Sequence, residues 1–127
     1  MSDFRTPLSR VKGLGSAREG TEHFWAQRVT AVSNLFMLVF LIYTAVSLAG
    51  RPLFAVRDYF ASPVVAGLAI LFALAAAYHM RLGMQVIVED YVHSHGPKTL
   101  LLLLNTFFSA AIALVSVVAI LKLTLGA

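Results

Sequence analysis

Three stretches of this chain carry no charged residue: 29–49, 59–78 and 99–121, of 21, 20 and 23 residues. About 20 apolar residues in a helix cross the roughly 30 Å of hydrocarbon in a bilayer. A helix is the form such a segment takes in lipid, because it satisfies its own backbone N–H and C=O groups. The fold class that follows is an all-α membrane protein with three transmembrane helices. The 127 residues suit one domain, and 59% hydrophobic against 13% charged is too apolar for an ordinary soluble domain of that size.

The spans are expected at about 29–49, 63–91 and 99–122. Residues 1–27 precede them as a polar segment, with 1–20 mobile or draped on a partner and Gly13, Gly15 and Gly20 interrupting any helix. Thr21 is the expected N-cap of the first helix, with Glu22 in its first turn and Phe24 and Trp25 as interfacial aromatics. Gly50, Arg51 and Pro52 end that helix, and a loop follows as far as Ser62. Pro63 opens the second helix at its first turn. Residues 80–88 hold no proline and only one glycine, so this helix should run on to Asp90 or beyond. Residues 93–97, His-Ser-His-Gly-Pro, read as a polar turn before the third span.

Charge sets the orientation. Arg5, Arg10, Lys12, Arg18, Arg28 and Lys98 fall on one side of a three-span topology, and Arg51, Arg57 and Lys122 on the other. The positive-inside rule puts the N-terminus and the second loop in the cytoplasm or matrix. Beside an apolar span, the basic start is membrane-flanking and not a nucleic-acid surface. No cleaved signal peptide is expected, since the first apolar run begins only after 28 mostly polar residues and is too long for a signal core. The absence of cysteine excludes disulfides, thiolate metal sites and thiol nucleophiles.

The stretch HMRLGMQVIVEDY, from His79 to Tyr91, carries the chemistry. Ionisable side chains at membrane depth are costly and are functional candidates by default. His79 and Asp90 are 11 residues apart, which on a helix is three turns, about 16 Å, and returns to within roughly 20° of the same face. One face thus holds an imidazole at depth, Gly83 one turn on, and a carboxylate and a phenol (Tyr91) at the inner edge. His79 can ligate a haem iron, relay protons or hydrogen-bond a neighbouring helix. Gly83 removes bulk where a porphyrin would press. A bis-histidine haem would need its second ligand from another chain, because His23, His93 and His95 are all at the inner edge. Arg81 lies about 200° from His79 and reads as an ion-paired or snorkelled side chain. Tyr91 can donate to a quinone carbonyl or simply anchor at the interface, and Asp90 can orient a partner's arginine or handle protons. Arg28 is either a positive-inside anchor or a partner for a haem propionate.

HMRLGMQVIVEDYVH resembles the signature of the small hydrophobic membrane anchor of succinate dehydrogenase, respiratory complex II, in its alphaproteobacterial and mitochondrial branch. Arg28-Val29-Thr30-Ala31 after an aromatic pair resembles the start of that family's first helix. The resemblance covers essentially the whole chain. It implies half of a six-helix heterodimeric membrane domain, completed by a second three-helix chain of the cytochrome b556 type. It implies one haem b between the two, with His79 as this chain's axial ligand, Arg28 near the propionates, and Tyr91 and Asp90 at the ubiquinone-reduction site. An iron–sulfur subunit and a flavoprotein subunit would dock on the inner face and carry the clusters and FAD. The implied location is the bacterial cytoplasmic membrane, with the N-terminus in the cytoplasm. Two other readings compete: a small oligomeric transporter that uses His79, Arg81 and Asp90 as a path, and a structural tether without haem.

Overall fold

The structure is a computed structural model that describes residues 6–13 and 19–126. The expectations for residues 1–5 and 14–18, among them Arg5 and Arg18, lie outside the described residues. Five helices follow one another: α1 Pro7–Val11, α2 Glu19–Leu48, α3 Leu53–Ala61, α4 Pro63–Tyr91 and α5 His95–Leu125. Three of them (α2, α4 and α5) are long and apolar enough to cross a membrane. At about 1.5 Å per residue they are each roughly 44–47 Å long, so their ends project beyond a hydrocarbon layer of about 30 Å.

α4 is the central helix. It packs against α2 on one side and α5 on the other, and α3 lies against α5 and α4. Very little is buried: Ala66, Ala77, Leu82 and Val88 among the apolar residues, with Thr44 and Ser109 among the polar ones. Ala66, Ala77 and Val88 recur at intervals of 11 residues, three helical turns, and so form one stripe along α4. In lipid there is no hydrophobic drive between helices, so close packing on small residues and a few polar pairs hold the spans together. Asn105 Nδ2 on α5 donates to the carbonyl oxygen of Arg81 on α4 at 2.9 Å. Thr44 of α2 and Tyr59 of α3 share a hydroxyl–hydroxyl bond of 3.0 Å.

Four expectations are corrected. Gly20 does not interrupt a helix, since it lies inside α2. Thr21 is not an N-cap, because α2 already runs at Glu19 and Thr21 lies inside it. Glu22 favours a helix start upstream of it, as a carboxylate near the positive end of the helix dipole, and offsets part of the roughly 1 kcal/mol cost of Gly20. The first loop is not a loop along its whole length: residues 53–61 form α3. Its half-buried residues Ala55, Val56, Tyr59 and Phe60 repeat at helical spacing while Arg57 and Asp58 face outward. The polar turn is shorter than read, since His95, Gly96 and Pro97 belong to the first turn of α5. Proline costs nothing there, because first-turn N–H groups have no partner within the helix anyway.

The loop after α2 reverses on Gly50, whose φ of 71° is the left-handed conformation a helix C-terminus favours for glycine. Arg51 N then bonds the Leu48 carbonyl at 3.0 Å. Ser62 separates α3 from α4 in an extended conformation, as expected for a residue before proline.

Candidate functional site

His79 lies on α4 against the first half of α2. Its Nδ1 is 3.0 Å from Thr30 Oγ1. The same hydroxyl oxygen is 2.8 Å from the carbonyl oxygen of Ala26 and 3.1 Å from that of Gln27, both in its own helix. His79 is half-buried. Its Nε2 has no hydrogen-bond partner among the described residues.

Beside the imidazole is an open cavity of about 510 Å³ lined by His23, Phe24, Gln27, Arg28, Ala31, His79 and Val86. The fold thus brings Arg28 and His79 into one cavity. The Arg28 guanidinium lies over the Phe24 ring, 4.2 Å from its centre, and Phe24 meets Trp25 edge to face at 6.0 Å. Arg28 holds a cation–π contact while lining this hollow, where it can also meet an anion. Gly83 does not line this cavity. A methyl group added at Gly83 would meet only Gln27 Nε2, at 3.8 Å, an ordinary contact.

Asp90 and Tyr91 end α4 and are exposed, Tyr91 by 79%. They share the helix with His79 but not its cavity. The last turn beneath them is closed by Val92 N bonding the Val88 carbonyl at 3.1 Å.

Arg81 faces the other way, as its spacing from His79 requires. It is half-buried, and its Nε donates to Thr106 Oγ1 on α5 at 3.3 Å. Among the described residues it has no acidic partner; hydroxyl bonding stands where an ion pair was one expectation. An apolar hollow of about 460 Å³ opens between α2, α4 and α5 toward the α3 end, walled by Phe40, Phe72, Met80 and several alanines. It contains no ionisable side chain, whereas a hollow of about 320 Å³ is lined by Glu22, His23 and Arg81 among others, so ionisable groups are not confined to the His79 cavity. Among the described residues no cluster of three or more His, Asp or Glu could hold a bare metal ion.

Sequence reasoning named Arg28 on α2 but not the residues beside it. His23, Gln27 and Ala31 are four residues apart and so share a face. A helix through residue 23 was expected, but nothing local marked this as the face turned toward His79. The Nε2 of His23 is buried without a partner among the described residues. The pairing of Thr30 with His79, 49 residues away, left no local signal.

Residues 2–121 match the family described as the succinate dehydrogenase/fumarate reductase transmembrane subunit. The chain is 33% identical to the succinate dehydrogenase hydrophobic membrane anchor subunit of Paracoccus denitrificans, over 96% of this chain and 94% of that one. It is 26% identical to the protein of the same name in Rickettsia bellii and 28% in Rickettsia conorii, over 93% of this chain and 94% of each relative. No solved structure matches.

Proposed function

The chain belongs to the succinate dehydrogenase/fumarate reductase transmembrane-subunit family, and from that premise we propose that it contributes one axial ligand of haem b and part of a ubiquinone-reduction site. It is a membrane anchor subunit of succinate dehydrogenase, embedded through three candidate spans. In this reading succinate is oxidised on a flavoprotein that carries FAD, and electrons pass through an iron–sulfur protein to the membrane domain. A partner chain of the cytochrome b556 type would supply a second histidine ligand and the other three helices. The setting is the bacterial cytoplasmic membrane with the N-terminus in the cytoplasm, which the excess of basic residues on that side supports.

One observation carries the haem part: His79 lines a cavity with Arg28, its Nδ1 engaged by Thr30 and its Nε2 unpaired among the described residues. These residues fit the group. A neutral imidazole is an iron ligand, and a guanidinium is a partner for propionate. Bound there, haem b supplies a one-electron carrier within the membrane domain. Phe24, Ala31 and Val86 present apolar surface to the same cavity and limit water.

For ubiquinone, Tyr91 is the hydrogen-bond donor to a quinone carbonyl and Asp90 the carboxylate beside it. Reduction to the quinol takes two electrons and two protons. A phenol at the carbonyl stabilises the charge that develops on its oxygen, and a carboxylate at the aqueous edge can deliver protons. Both residues end α4 in the open, where a lipid-dissolved quinone and water can each reach them.

The test is His79→Ala in the whole complex. The b-type absorption bands are expected to weaken or vanish, while succinate oxidation with a soluble dye persists in assembled enzyme. An unchanged low-spin spectrum would rule His79 out as a ligand.

A further inference from the structure

The hydrogen bonds around Thr30 can be counted proton by proton. Thr30 Oγ1 has one hydrogen, and three acceptors or potential acceptors stand within reach: the Ala26 and Gln27 carbonyl oxygens at 2.8 and 3.1 Å and His79 Nδ1 at 3.0 Å. Carbonyl oxygens only accept. If the hydroxyl gives its hydrogen to Nδ1, the imidazole proton must be on Nε2. One hydrogen bond is then made, the contact to the backbone carbonyls is lost, and an Nε2–H is left with no acceptor among the described residues. If instead Nδ1 carries the proton, Nδ1–H donates to Oγ1 and Oγ1–H donates to Ala26. Two bonds are made in series and no donor is orphaned. Two bonds in series against one favour the second arrangement.

We propose that Thr30 is a positioning residue for the haem ligand: its hydroxyl accepts the Nδ1–H of His79 and donates to the Ala26 carbonyl, fixing the tautomer in which the Nε2 lone pair is free to bind iron. This rests on the haem reading of the preceding subsection. Partners of this kind set the ring orientation and the basicity of a ligating histidine. Threonine suits the task at this point of a helix, because its hydroxyl can bond the carbonyl three or four residues back. That back-bond uses the only hydroxyl proton and leaves a lone pair turned outward. The relay also makes α2 part of the ligand's support. α2 brings Arg28 to the cavity and, two residues on, Thr30 to the far nitrogen of the imidazole.

The experiment compares wild type, Thr30→Val and Thr30→Ser in the purified complex. Haem per complex, haem midpoint potential and the low-spin electron paramagnetic resonance g-values are read, and dye-coupled succinate oxidation checks assembly. Valine keeps the shape and removes the relay. It is expected to lower haem affinity by about 10- to 100-fold. It should also raise the potential of the haem that remains, because an imidazole without an Nδ1 acceptor donates less electron density. Serine keeps the hydroxyl and is expected to restore all three readouts. Thr30→Ala, smaller and a better helix former, serves the same comparison if the valine variant does not assemble. Wild-type haem content, potential and g-values in Thr30→Val or Thr30→Ala overturn the proposal, and so does a serine variant that restores none of them. A wild-type complex without b-type bands, or an unchanged spectrum in His79→Ala, sinks the haem reading itself and is distinct from a failure at Thr30.

Discussion

Lys98 Nζ on α5 donates to the backbone carbonyl of Glu89 on α4 at 2.8 Å. The last carbonyls of a helix have no partner within it. In α4 the Val88 carbonyl is taken by Val92 N, and Lys98 takes the next one. The Glu89 side chain meanwhile accepts from Gln85 Nε2 at 2.8 Å and so braces the same turn from outside. The turn that bears Asp90 and Tyr91 is therefore tied to the start of α5. A cation near a helix C-terminus is worth about 0.3–1 kcal/mol.

Lys98→Met should let that turn fray. The Michaelis constant for quinone is expected to rise about two- to fivefold, in line with that energy. Haem content and dye-coupled succinate oxidation should stay at wild-type levels. Unchanged quinone kinetics would show that the backbone alone holds the turn.

Tyr91→Phe removes one hydroxyl from an exposed ring and leaves the packing as it was. If the hydroxyl donates to the quinone carbonyl, its bond strengthens as charge develops there. Losing it costs roughly 1.5–3 kcal/mol, or about one to two orders of magnitude in succinate-to-quinone turnover. Succinate oxidation by an acceptor that draws from the soluble subunits should be near normal, and Asp90→Asn should show the same split. Both activities are measured on one preparation. Equal quinone turnover in wild type and Tyr91→Phe would reduce the phenol to an interfacial anchor.

Arg28→Leu tests the guanidinium that lines the His79 cavity. Insertion should survive, because Arg5, Arg10, Lys12 and Arg18 still mark the N-terminal side. Haem retention should fall about tenfold, equivalent to roughly 1.4 kcal/mol, measured as haem per complex after gel filtration. Wild-type haem content together with wild-type turnover would leave Arg28 as a topological anchor resting on Phe24.

Elements with a strong local signature were legible in advance. The spans follow from uncharged length, and the start of α4 from a proline that fits a first turn. His79 stood out because an imidazole amid apolar residues is conspicuous in any sequence. What escaped had no local mark. α3 is nine residues long, too short for its amphipathic pattern to stand out beside the apolar runs around it. His95, Gly96 and Pro97 look like breakers, yet a helix tolerates all three in its first turn. Thr30 drew no notice beyond its place in the Arg28-Val29-Thr30-Ala31 stretch, since what matters about it is a partner 49 residues away. Gly83 shows the converse: its spacing from His79 suggested a place against a flat ligand, whereas the side chain it faces is Gln27.

Only four apolar residues of the described chain are buried. Its long apolar helices leave most of their surface to what surrounds them, lipid or another chain, so the fold's persistence depends on those surroundings. Anything that binds the folded form and not the unfolded one raises stability by mass action. The lifetime of such a chain in a cell is therefore set less by its own sequence than by the supply of its neighbours. A copy that finds no such neighbour is then the more open to proteolysis.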